Sequence, residues 1–377
     1  MTLLKQRSFG WEDGPRAKKL RPSFKETYTK PRLLLKFALQ SFNGGIRIVF
    51  NRLRRTKRGT LLFYLAIIVV IAGGMVYLGR YVINQPWSAR DWIAATAVKD
   101  KIYVLGGQDR RRGLLDEVME LTLTRHTLRV ISHLPSPACC LACVTLDGHI
   151  YALGGQGEKG YLDQVVEIDP QTKEVRVIAT LPTPRTYGAC ASASGKLYYV
   201  GGWDGKKRLD EIVEIDPKTG ESTIVGHLPS PREFLAAAGQ GDRLYVLGGE
   251  DEQWSVLDEV LEFQTTSWEI VRIGHLPSSL TRTAAAVLDE DLFLLGGWSK
   301  ELLDEIVKVK MTDQRITSEV VAHLPEPAAD RAAVSTLGKL YLIGGIDPGF
   351  KRQIAVLEID PHTWESKALR FRGTWLP

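Results

Sequence analysis

From residue 86 onward a Gly-Gly doublet recurs six times, at 106/107, 154/155, 201/202, 248/249, 296/297 and 344/345. The intervals are 48, 47, 47, 48 and 48 residues. A fixed period in this range marks an array of one supersecondary unit, each copy burying its apolar face against its neighbours. Each doublet closes a short apolar run: KIYVL, HIYAL, KLYYV, RLYVL, DLFLL and KLYLI. An aromatic residue stands three positions before the first glycine in all six: Tyr103, Tyr151, Tyr198, Tyr245, Phe293 and Tyr341.

The rest of each repeat divides in the same way. After the doublet and a polar loop comes a second run, as in LDQVVEIDP and LDEIVEIDP, reading as a strand that ends in an Asp-Pro turn. A third run leads into LPSP, LPTP, LPSP, LPSS and LPEP, and a fourth is rich in small residues, such as Ala94/Ala95, Ala236/Ala237 and Ala284/Ala285. Four strands per unit, with no room for helices, predict a radial ring of six small sheets. The alanine-rich strand is expected innermost, where the sheets converge and only small side chains fit. The glycines are expected where the chain turns without room for a Cβ. Arg90 to Pro377 is 288 residues, six periods of 48, so the ring is expected to close between the C-terminal Leu376-Pro377 and the segment ending at Arg90.

This pattern over residues 86–377 resembles the kelch family, whose repeat carries a Gly-Gly doublet after an apolar strand. The resemblance implies an all-β, six-bladed kelch β-propeller. The chain departs from the family pattern on the third and fourth strands, where Leu121, Ile168, Ile215, Phe263, Val309, Ile359 and non-aromatic residues stand in place of the usual tyrosine and tryptophan.

Ahead of the repeats, residues 59–79 contain no charged side chain, and the apolar stretch 59–83 is long enough to cross a bilayer as one helix. Residues 1–59 hold 16 of the 49 Lys/Arg and 3 of the 44 Asp/Glu, leaving 33 basic against 41 acidic groups in the remainder. The net charge of +5 therefore conceals a basic tail and an acidic ring, which argues against a nucleic-acid partner. Arg52, Arg54, Arg55, Lys57 and Arg58 crowd the amino side of the apolar stretch, so the tail at 1–58 is expected in the cytoplasm and the repeats outside it, at the plasma membrane. Residues 32–54 place cationic and polar residues every three or four positions among apolar ones, as in a helix lying on anionic lipid or a basic tail that only sets orientation.

Four cysteines, Cys139, Cys140, Cys143 and Cys190, are too few and too clustered for a disulfide framework and lack metal-site spacing. No cofactor or metal is expected. Positions repeated in every unit are explained by the fold, so recognition is sought where equivalent positions differ. The kelch resemblance places binding on the loops joining one unit's outer strand to the next inner strand, and on the loop after the doublet. Here those positions include Arg90, Trp92, Arg185, Tyr187, Trp203, Arg232, Glu233, Phe234, Arg282 and Trp298. Exposed aromatic and arginine side chains carry much of the energy in binding surfaces, which points to a protein or carbohydrate ligand. The competing reading, also implied by the resemblance, is a sugar-processing enzyme such as a mutarotase, with Glu233 as its acid or base.

Overall fold

The computed structural model describes residues 90–109, 112–312, 315–346 and 356–373. All lie in one compact unit, Val82–Pro377. The expected membrane helix at 59–83, the interfacial segment at 32–54 and the junction residues 86–89 and 374–377 fall outside the described residues, among which no helix is long and apolar enough to cross a membrane.

Among the described residues the repeats form six antiparallel sheets, each with strands hydrogen-bonded in sequence order from inside to outside. Blade 1 is Ala94–Val98, Lys101–Leu105, Glu117–Thr122 and Thr127–His133. The other inner strands are Ala142–Leu146, Ala189–Ala193, Ala236–Gln240, Ala284–Leu288 and Ala332–Thr336, numbered here as blades 2 to 6. The strand count and the innermost placement of the alanine-rich run agree with the sequence.

Burial follows the boundaries between blades. One apolar cluster joins blade 1 to blade 2, and others join 2 to 3, 3 to 4, 4 to 5 and 5 to 6. A sixth joins Ile102, Val104 and Met119 of blade 1 to Tyr341, Ile343 and Val356 of blade 6. The first and last repeats thus bury each other as neighbours do. At about 1.5–3 kcal/mol per buried aliphatic or aromatic side chain, a blade without both neighbours forfeits much of its stabilisation. The C-terminal strand Arg372–Gly373 adds in parallel to the outer strand of blade 1, Arg372 opposite Thr127 and Gly373 opposite Leu128.

The doublets fasten one blade to the next. Each first glycine has a positive φ. A Cβ on Gly106, Gly154, Gly201, Gly248 or Gly296 would stand 2.2–2.6 Å from a backbone oxygen of the following repeat. Each second glycine of those five pairs donates its amide to that same oxygen, for example Gly202 to Arg232 and Gly249 to Leu280, at 2.8 and 2.9 Å. The doublet therefore does more than turn the chain, because only a residue without a Cβ allows this approach.

Two further regularities come from register. The aromatic three positions before each doublet lies directly opposite a charged residue of the third strand: Tyr103/Glu120, Tyr151/Glu167, Tyr198/Glu214, Tyr245/Glu262, Phe293/Lys308 and Tyr341/Glu358. Tyr103, Tyr151, Tyr198 and Tyr341 donate to the carboxylate at 2.7–3.2 Å. In blade 5 both partners change together, and the Lys308 ammonium sits 5.7 Å from the Phe293 ring. The repeated histidines each face an aspartate that begins the third strand's approach: His133/Asp116, His227/Asp210, His275/Asp258 and His323/Asp304, at 2.9–3.2 Å.

Candidate functional site

The residue that precedes each inner strand by two positions occupies the left-handed region in all six repeats. These are Trp92, Cys140, Tyr187, Phe234, Arg282 and Asp330, with φ between 54° and 58°. Bulky side chains rarely adopt this conformation, so the surrounding structure must impose it. Backbone hydrogen bonds between successive repeats do so. Cys140 donates to the Trp92 carbonyl at 2.9 Å, Phe234 to Tyr187 at 2.7 Å, Arg282 to Phe234 at 3.0 Å and Asp330 to Arg282 at 3.3 Å. Thr186 Oγ1 reaches the Cys140 carbonyl at 3.2 Å. The backbone thus runs as a collar around the axis and aims six different side chains inward.

Those side chains meet. Ring centroids of Tyr187 and Phe234 are 4.5 Å apart, of Trp92 and Tyr187 5.7 Å, and of Trp92 and Phe234 6.3 Å. Trp92 comes from blade 1 and Phe234 from blade 4, so the contact crosses the axis. The Arg282 guanidinium carbon lies 4.0 Å from the Phe234 centroid and 5.6 Å from that of Trp92, a cation–π arrangement. Its Nη1 is 3.5 Å from Asp330, whose side chain is 5 % exposed. This end of the axis is closed by a half-buried aromatic cluster carrying one arginine and one carboxylate.

Burial raises the proton affinity of Asp330; Arg282 opposes that and Asp91 adds to it, so its pKa rises from 3.8 to about 6. Because the folded value is the higher one, the folded chain binds more protons between the two values, and stability falls as pH rises through that window. The full penalty, up to about 3 kcal/mol, is present above the folded pKa. In urea titrations the wild type should be more stable near pH 5 than near pH 7.5 by roughly 1–1.5 kcal/mol from this group, a difference that Asp330→Asn should remove. An unchanged pH dependence in the variant contradicts this account of Asp330.

The structure corrects the expectation that Arg90, Arg185 and Arg232 are exposed anchors. They are 1 %, 0 % and 0 % exposed. Each is bound to a glutamate at the start of its blade's third strand: Arg90 to Glu117 at 3.0 Å, Arg185 to Glu211 at 2.5 Å, and Arg232 to Glu259. Burial works against the charge on Glu117, but Arg112 and Arg90 outweigh it and hold the carboxyl below the usual range. Arg232 also donates to the Gly248 carbonyl at 3.4 Å, tying it to its own blade's doublet. These arginines are internal struts.

Glu233 is likewise buried, at 6 %. It shares the Arg208 guanidinium with Glu250, at 2.9 and 2.6 Å. Burial raises its pKa, with Arg208 opposing the shift. Arg208 reaches from the blade 3 loop and stacks 4.2 Å from the ring of Trp254, which is 63 % exposed. Arg208 and Trp254 lie in loops of successive repeats that only folding brings together. Trp203 and Trp298 are half-exposed and pair with Thr186 and Thr281, in the tier surrounding the axial cluster.

Among the described residues no group of three or more His, Cys, Asp or Glu side chains is placed to hold a metal. Two cavities, of about 620 and 390 Å³, lie at the far end of blade 1, lined by residues including Arg125, His126 and Phe371 for the first and Lys101, Glu120 and Arg129 for the second. Neither includes a residue of the axial cluster.

Comparison with known proteins accords with this architecture. The KLHDC2/KLHL20/DRC7 Kelch-repeats domain matches residues 80–225. No curated protein matches the chain. The solved structure of YjhT superposes with a TM-score of 0.64 at 16 % identity, over 76 % of this chain and 98 % of that one, which is a likeness of fold. Residues 80–225 thus match a kelch-repeat family model, and the six doublets sit on successive sheets of an all-β, kelch-type, propeller-like fold.

Proposed function

We propose that this chain is a membrane-tethered binding module, a closed six-bladed propeller held outside the cytoplasm by residues 59–83, that recognises a protein or glycan through its axial face. The observation that carries the reading is the collar: six positions of identical backbone conformation present Trp, Cys, Tyr, Phe, Arg and Asp. A purely structural ring would favour one residue type at all six, whereas variation on a fixed frame is how repeat proteins build recognition surfaces. Half-exposed Trp203 and Trp298 extend the surface outward. Aromatic and arginine side chains in such a setting supply most of the energy of a binding surface.

The test uses the full chain in membranes. It should resist extraction by alkaline carbonate, while a chain lacking residues 1–85 should not. Arg282→Ala and Trp298→Ala should each weaken retention of a crosslinked partner by about tenfold or more. Retention unchanged in both variants would remove the axial face from consideration.

The second reading, a sugar-processing enzyme, draws on the raised proton affinity of Glu233. Against it stand that residue's burial and its bond to Arg208. Interconversion of free sugar anomers, followed by NMR, should run at the uncatalysed rate with the purified protein. Acceleration that disappears in Glu233→Gln would favour the enzyme.

A further inference from the structure

Blade 2 differs from the others at the collar. Where the remaining repeats carry Asp91-Trp92, Thr186-Tyr187, Glu233-Phe234, Thr281-Arg282 and Ala329-Asp330, it carries two adjacent thiols, Cys139-Cys140. Their sulfurs are 3.3 Å apart. Cys139 is buried in a two-residue strand paired with Gln156, while Cys140 is half-buried at the axial cluster, its backbone held at φ 57°. Neighbouring thiols along a chain normally diverge, so sulfurs in contact reflect a conformation that the collar imposes.

We propose that Cys139 and Cys140 are a redox-active vicinal dithiol, closing to a disulfide by exchange with a small-molecule disulfide and reopening with a monothiol. One cysteine, as the thiolate, attacks a sulfur of the small disulfide and expels its thiolate, giving a mixed disulfide. The second cysteine then displaces the remaining half. Overall, two protein thiols lose two hydrogens and one small disulfide becomes two small thiols. The sulfurs must close by only about 1.3 Å to reach bonding distance. Consecutive Cα atoms are about 3.8 Å apart, less than the roughly 4.4–6.8 Å of ordinary disulfides, so the bond would be strained and readily reduced. That suits a reversible switch and not a structural staple. Its position matters, because the Cys140 carbonyl receives Thr186 Oγ1 and its amide binds Trp92, so closing the ring acts directly on the collar. Burial pushes the Cys140 thiol well above its ordinary pKa, so attack by this sulfur quickens as pH rises.

Cys143 and Cys190 lie in the inner strands of blades 2 and 3, and burial raises both thiols. They serve as internal controls. The full chain in detergent is equilibrated with mixtures of reduced and oxidised glutathione, alkylated, and mapped by mass spectrometry. The expected result is loss of two hydrogens at residues 139–140, reversed by reduced glutathione, absent in Cys139→Ser and Cys140→Ser, and retained in the double variant Cys143→Ser/Cys190→Ser. The reduced protein should bind one equivalent of phenylarsine oxide, and the oxidised protein none. Should the single variants fail to fold, the double variant, with the pair intact, decides by fragment mapping. Thiols that stay reduced throughout, a stable glutathione adduct on one cysteine, or a bond to Cys143 or Cys190 would each overturn the proposal.

Discussion

Arg185→Ala should lower the stability of the propeller by about 3–5 kcal/mol, toward the lower end because Glu211 keeps some solvent contact. The substitution removes the cation of a buried pair and leaves its carboxylate near the interior, along with a cavity in place of a fully buried side chain. Blade 2 indicates how the site tolerates a neutral pair, since it has Ala138 and Gln164 at the equivalent positions. Arg185→Ala/Glu211→Gln should therefore recover at least half of the loss. The measurement is the urea midpoint of each variant at unchanged slope. A single variant as stable as wild type would mean that Arg185 is not an internal strut.

Gly248→Ala should be at least as damaging as most core truncations, costing about 3 kcal/mol or more and lowering the melting midpoint by roughly 5–10 °C. Gly248 has φ +60°, and its Cβ would lie 2.2 Å from the Leu280 carbonyl oxygen, which also receives the Gly249 amide. Gly241 provides the control: it has φ +62° but open space around the added carbon. Gly241→Ala carries only the conformational strain, about 1–2 kcal/mol. The difference between the two variants isolates the contact that joins blade 4 to blade 5.

Much of this architecture is legible in the sequence, because the doublets set a ruler against which every other position can be numbered. That ruler located the inner strands, while the family resemblance supplied the loop positions Trp92, Tyr187, Phe234 and Arg282, whose meeting at the axis only the structure shows. It could not tell which arginines face inward, since a cation is buried only if a partner awaits it. The signal was nonetheless present. Arg90, Arg185 and Arg232 each stand 16 residues before a doublet, and Glu117, Glu211 and Glu259 stand 10 or 11 after the first glycine. Where the arginine becomes Ala138, the acid becomes Gln164. The Tyr/Glu pairs could be found in the same way, through the joint change to Phe293 and Lys308. Arg208 and Trp254 could not, because only folding brings the two loops together.

The axial face is the proposed recognition surface. A photocrosslinking residue placed at Trp298 tests this directly, with one at Trp268 as control; Trp268 is 57 % exposed and lies in the turn between the two outer strands of blade 4, at the opposite end of the blade. In native membranes the account predicts a discrete crosslinked species from position 298, lost when Arg282→Ala is added, and none from position 268. A species formed from position 268 alone would contradict it.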